Sequence, residues 1–136
     1  TTEEEARELE MMATNVGLGF QIWDDYLDAT APEEVLGKPS GSDIRQGKRT
    51  LLVIEGLNRA NDKDRKRLIE ILDSKNTDEE VKEAVEIMER YGALEECHKQ
   101  ANGYLEGARK TLSNYPESEA RLLFEELLEY MVTRGH

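Results

Sequence analysis

Three carboxylates, Asp24, Asp25 and Asp28, stand among large apolar side chains in the run Phe20-Gln21-Ile22-Trp23-Asp24-Asp25-Tyr26-Leu27-Asp28. On a helix advancing about 100° per residue, Gln21, Asp24 and Asp28 share one stripe with Gly17 a turn above, and Asp25 flanks it. Carboxylates gathered in this way repel one another and raise each other's pKa unless a cation joins them. Mg²⁺ suits the role, because it takes few protein carboxylates and completes its shell with water and phosphate oxygens. One loop later, the stretch from Gly37 to Thr50 (GKPSGSDIRQGKRT) supplies Lys38 and Lys48 as point charges for phosphate and Asp43 as a further oxygen donor. In a chain that is 35% charged, an Asp-Asp-x-x-Asp run taken alone is usually a solvated face. The neighbouring Trp and Phe and the glycine-rich Lys/Asp/Lys loop set it apart from Glu3-Glu4-Glu5 and Glu125-Glu126, which read as surface.

The elements that must position these groups read as helices. Thr2 with Glu5 forms a capping-box start, and Ala6, Leu9, Ala13, Val16, Phe20, Trp23 and Leu27 alternate spacings of three and four on one apolar stripe up to about Thr30. Gly17 and Gly19 each cost a helix about 1 kcal/mol relative to Ala, so close approach of a ligand or of a neighbouring helix is expected there. Residues 31–49 carry too many breakers for a regular element and form a loop with room for a short helical turn, of a length that is usually either functional or disordered. Thr50 caps a buried helix with Leu51, Leu52, Val53, Ile54 and Leu57. Asp62 opens another with Leu68, Ile69 and Leu72 inward. Thr77 with Glu80 is a second capping box, leading to Val81, Val85 or Ala84, Met88 and Tyr91, and Gly92 is its stop. Leu94 to Leu112 and Leu123, Phe124, Leu127, Leu128 and Met131 make the last two stripes. No window alternates with a period of two, so the fold is an all-α helical bundle of about six helices, a single unit over residues 1–136.

Composition narrows the chemistry. Eighteen Lys and Arg against 30 Asp and Glu give a net charge of −12, which argues against nucleic acid or an anionic membrane surface as partner. One cysteine, Cys97, makes no internal disulfide, and no signal or membrane-spanning run interrupts the spaced apolar pattern, so a cytoplasmic location is expected. With only two histidines, His98 beside Cys97 reads as scaffold rather than as a zinc ligand.

FQIWDDYLD followed by LGKPSGSDIRQGKRTLL resembles the second aspartate-rich region of the trans-isoprenyl diphosphate synthases, the family of farnesyl and geranylgeranyl diphosphate synthases. The resemblance is strong over residues 16–55. It implies the C-terminal part of the isoprenoid synthase fold and Mg²⁺-dependent head-to-tail condensation of isopentenyl diphosphate with an allylic diphosphate to a short-chain product, with a homodimer for the full-length protein. By the same resemblance, Asp24 is a direct Mg²⁺ ligand. Asp25 and Asp28 bind metal or its waters, and Asp43 holds a metal-bound water. Lys38 and Lys48 grip the leaving diphosphate, and Gln21 and Phe20 line the pocket near the developing allylic cation. Arg134, in the basic tail, is a weaker candidate for isopentenyl diphosphate.

The family's first aspartate-rich motif, its Gly-Lys-Arg element and its mid-chain Lys-Thr pair are not found in this sequence. The chain is therefore expected to be the C-terminal portion of a synthase, inactive alone, with exposed apolar stripes that lead to self-association or altered packing. Two other readings stay open: a terpene cyclase-like Mg²⁺-dependent diphosphate-ionising enzyme, and a helical interaction module in which DDYLD is a solvated patch.

Overall fold

A computed structural model describes residues 2–31, 34, 37 and 40–133, and the regular elements among them are all helical. They are α1 (Glu3–Thr30), α2 (Ser42–Arg45), α3 (Leu51–Arg59), α4 (Asp62–Asp73), α5 (Asp78–Arg90), α6 (Ala93–Leu112) and α7 (Glu119–Thr133). No described helix is long and apolar enough to cross a membrane.

Local signals start these helices as expected. Glu5 N–H donates to Thr2 Oγ1 at 3.1 Å while Thr2 N–H donates to Glu5 Oε2 at 3.2 Å, and Thr77 and Glu80 make the same reciprocal pair ahead of α5. Val53 N–H donates to Thr50 Oγ1 at 3.4 Å, and Asp62 opens α4 as expected, with Asn61 before it as the cap, accepting from Asp64 N–H at 2.8 Å. Each cap satisfies amides that the first helical turn leaves without a partner.

The chain divides into two compact units. Among the described residues, the first comprises Glu3–Trp23 of α1 with residues 99–133, the second residues 24–98. In the first, Met12, Leu105, Ala108, Leu112 and Leu128 form a buried cluster flanked by Val16 and Phe124. Gly19 lies where a Cβ would come within 3.2 Å of the Ala101 carbonyl oxygen and 3.1 Å of Leu105 Cγ, the close approach expected there, whereas Gly17 faces open space. The predicted stripe is only partly buried. Ala6, Leu9 and Ala13 are exposed and Met12 takes the inward position instead; on α7, Leu123 and Leu127 are exposed and Leu128 is buried. Apolar periodicity defines a helix, but the neighbours available decide which part of a wide apolar face is covered.

In the second unit α3, α4 and α5 pack on one another, and α2 packs on α4 and α5. Its core contains Leu52, Val53, Leu68, Ile71, Leu72, Val81, Ala84, Ile87, Met88 and Cys97. Ile71 and not Ile69 completes the inward face of α4, as the spacing 68, 71, 72 requires, and Ile54 of α3 is exposed. Gly56 lets α3 approach α5, since a Cβ there would meet Met88 Cγ at 2.8 Å. Burial pushes the Cys97 thiol up to about 11, helped by the nearby acids Glu55, Asp25 and Glu96.

Candidate diphosphate and metal site

The last turn of α1 and the segment from Ser40 to Arg49 meet within the second unit. Gly41 N–H donates to the Asp28 carbonyl at 2.7 Å, and the Ser40 hydroxyl donates to the same oxygen at 3.4 Å. The Asp28 carboxylate Oδ2 accepts the backbone N–H of Asp43 at 3.0 Å. Gly41, at φ 77°, turns the chain into α2, and a Cβ there would lie 2.4 Å from Val81 Cγ1. Left-handed backbone and a filled neighbour both require glycine.

Beyond α2, Lys48 N–H donates to the Asp43 carbonyl at 3.0 Å, and Lys48 Nζ lies 3.5 Å from Asp43 Oδ1. Gly47, at φ 72°, sits against the α4 backbone, its Cβ position 2.5 Å from the Leu72 carbonyl oxygen. Asn76 holds the turn from the same side, donating from Nδ2 to the carbonyls of Ile44 at 3.2 Å and Ile71 at 2.9 Å. Arg49 pairs with Asp73 at 2.6 Å and Arg45 with Asp78 at 2.7 Å.

The acids of the site differ in environment. Asp24 is exposed, Asp25 half-buried and Asp28 buried at 3% exposure. The expected stripe of Asp24 and Asp28 thus runs from solvent into the protein within one turn, because 400° of rotation carries Asp28 about 40° further round. The Asp25 carboxyl is pushed up to about 6, first by burial, then by the charges of Asp43 and Asp28, with Lys48 opposing them. An electronegative focus of this kind is relieved by a cation. The donors are carboxylate oxygens, which suit Mg²⁺. Among the described residues, no three His, Cys, Asp or Glu side chains close into a metal cage. That leaves an open, oxygen-lined corner whose shell substrate and water would have to complete.

Of the other residues singled out from sequence, Lys48 is exposed beside Asp43. Gln21 is exposed and Phe20 half-buried on the α1 stretch that belongs to the first unit. Lys38 and Arg134 lie outside the described residues. His98 stacks at a tilt on Tyr26, ring centroids 5.4 Å apart, in keeping with a scaffold role. Asn76 carried no sequence signal: it lies 32 residues from Ile44, and its partners are backbone carbonyls. Asn76→Ala leaves both without their side-chain donor and is expected to destabilise the chain by about 1–3 kcal/mol, read as a lower denaturant midpoint at unchanged slope.

The polyprenyl synthetase family profile matches residues 1–88. A short chain isoprenyl diphosphate synthase of Methanothermobacter thermautotrophicus is 46% identical over 133 residues, which cover 98% of this chain and 41% of that protein. Among solved structures, the geranylgeranyl pyrophosphate synthetase of Pyrococcus horikoshii Ot3 superposes with a TM-score of 0.89 at 38% identity, over 98% of this chain and 41% of that one. A polyprenyl synthase of Caulobacter crescentus CB15, complexed with calcium and isoprenyl diphosphate, gives 0.86 at 28% identity, over 100% of this chain and 42% of that one. The chain spans about two fifths of the length of these relatives. The profile match covers more than half of the chain, including the acids at the end of α1, the α2 turn and Lys48: the chain belongs to the polyprenyl synthetase family.

Proposed function

We propose that this chain supplies the second aspartate-rich half of a short-chain prenyltransferase site, which holds an allylic diphosphate through Mg²⁺ while it ionises. The observation that carries the reading is the convergence of Asp25, Asp28, Asp43 and Lys48 at one corner, where burial first and then the charges of Asp43 and Asp28 push the Asp25 carboxyl up to about 6 against the opposing charge of Lys48. The names of the relatives and the calcium and isoprenyl diphosphate of the Caulobacter protein support the same ligand class.

In this reading Asp24, Asp25 and Asp43 present oxygens to Mg²⁺ directly or through its waters, and the ion would neutralise charge on the departing diphosphate. Lys48, with Lys38, binds the diphosphate oxygens that take up the electron pair as the allylic C–O bond breaks. The resemblance gives Phe20 and Gln21 the role of stabilising positive charge on the allylic carbon, through an aromatic ring and an amide dipole. The π-electrons of isopentenyl diphosphate then form the new C–C bond and a proton leaves the adjacent carbon, lengthening the chain by five carbons. The names of the relatives, short chain isoprenyl and geranylgeranyl diphosphate synthases among them, support a short-chain isoprenyl diphosphate as the product.

The test is titration of the 136-residue chain with Mg²⁺ and a non-ionisable allylic diphosphate analogue, followed by calorimetry. Binding that requires both ligands and weakens about tenfold or more in Asp24→Ala is the expected result. Absence of any Mg²⁺-dependent binding, or indifference to Asp24→Ala, would overturn the assignment. With one acidic helix in place, the isolated 136 residues are expected to show no condensation of isopentenyl with allylic diphosphate in a radiolabel assay.

A further inference from the structure

Asp28 differs from the other two acids of its motif. Its side chain is 3% exposed, whereas Asp24 is exposed and Asp25 half-buried. One carboxylate oxygen accepts the Asp43 amide at 3.0 Å, and its carbonyl accepts Gly41 N–H at 2.7 Å and the Ser40 hydroxyl at 3.4 Å. Three bonds from residues 40, 41 and 43 therefore end on one residue of α1. Asp43 in turn takes the Lys48 amide on its carbonyl and lies 3.5 Å from Lys48 Nζ through its carboxylate.

We propose that Asp28 is a positioning residue rather than a metal donor: its carboxylate holds Asp43, and through Asp43 Lys48, in register with Asp24 and Asp25. A charge-assisted bond to a backbone amide is about twice as strong as a neutral one and fixes direction as well as distance. The spacing of the motif then encodes two tasks. The adjacent pair faces the ligand, and the third acid, one turn on, buries itself to set the facing loop, as partners behind a metal site commonly do. This assignment rests on the Mg²⁺-diphosphate reading above for its purpose, but not for its geometry.

The two are separated by Asp28→Asn and Asp28→Ala in the 136-residue chain, with Mn²⁺ as the probe ion read by electron paramagnetic resonance and the Asp43 amide read by hydrogen exchange. Asparagine keeps an acceptor for that amide but is a poor metal ligand. It is expected to leave Mn²⁺ affinity within about threefold of the parent and Asp43 protection intact, while alanine speeds Asp43 exchange by about tenfold or more. Unchanged Asp43 exchange in Asp28→Ala overturns the proposal. So does a tenfold loss of Mn²⁺ affinity in Asp28→Asn with the Asp43 amide still protected, which would make Asp28 a ligand. If the parent chain binds no Mn²⁺, the metal reading fails, and the exchange comparison alone still decides the positioning role. Should the alanine variant not fold, Asp28→Asn decides: retained Asp43 protection supports the proposal, and exchange speeded as expected for lost contact overturns it.

Discussion

Gly47→Ala is expected to destabilise the second unit by about 2–5 kcal/mol, as the sum of a left-handed backbone penalty of about 1–2 and an overlap penalty of about 1–3. The first contribution follows from φ 72°, which an L-residue with a Cβ adopts only at a cost. The second follows from the 2.5 Å separation between the would-be Cβ and the Leu72 carbonyl oxygen. That oxygen belongs to the backbone of α4, so no side-chain rotation relieves the overlap. Gly37 offers a control of opposite design: its φ is 69°, yet nothing lies within 4 Å of its Cβ position, so Gly37→Ala carries only the smaller, conformational share. Denaturant melts of the two variants check the difference, and equal losses would show that the Leu72 contact contributes nothing.

Asp25→Asn is expected to move stability and ligand binding in opposite directions. The folded carboxyl, raised from 3.8 to about 6, binds a proton more tightly than the unfolded one. Between those values the folded state holds more protons, so stability falls as pH rises through the window, and the full penalty is present above about 6. Because Asp25 is half-exposed, solvent screening reduces that penalty to about 1–2 kcal/mol. Asparagine has no charge to bury, so in the absence of divalent cations the variant should be more stable than its parent by that amount at pH 7–8. The advantage should vanish below pH 3.8, where the parent is protonated in both states. Mg²⁺ should narrow the gap at pH 7, since a cation lowers the same penalty in the parent alone, while Mg²⁺-dependent diphosphate binding by the variant should drop by about tenfold. A pH series of melts with and without Mg²⁺ measures all of this; a variant no more stable than the parent at pH 8 would show that Asp25 is solvated rather than strained.

What the sequence made legible was local. Thr2 with Glu5 and Thr77 with Glu80 are written three residues apart, and both pairs form. The acids at the end of α1 were visible by type and spacing, and Asp43 and Lys48 by type within a glycine-rich loop, with the resemblance adding their roles. Side-chain phase was less visible: α7 is apolar over much of its circumference, so Leu123 and Leu128 could not be ranked before the packing of the first unit was known. The bond between the Asp28 carboxylate and the Asp43 amide spans 15 residues and ends on a backbone donor, which no residue type announces. The same holds for Asn76, whose two acceptors are carbonyls.

The single cysteine gives both stability measurements an internal clock. Cys97 is 1% exposed, in the same unit as the acids, and its thiol is pushed up to about 11. At pH 8 an aromatic disulfide or iodoacetamide reacts with thiolate, so the folded chain is protected twice, by occlusion and by protonation. Once the unit opens, the thiol returns to an ordinary value and reacts within the dead time of a strong reagent. The labelling rate of one native atom therefore counts openings of the site-bearing unit, without an introduced probe, and ranks Gly47→Ala, Gly37→Ala and Asp25→Asn on one scale.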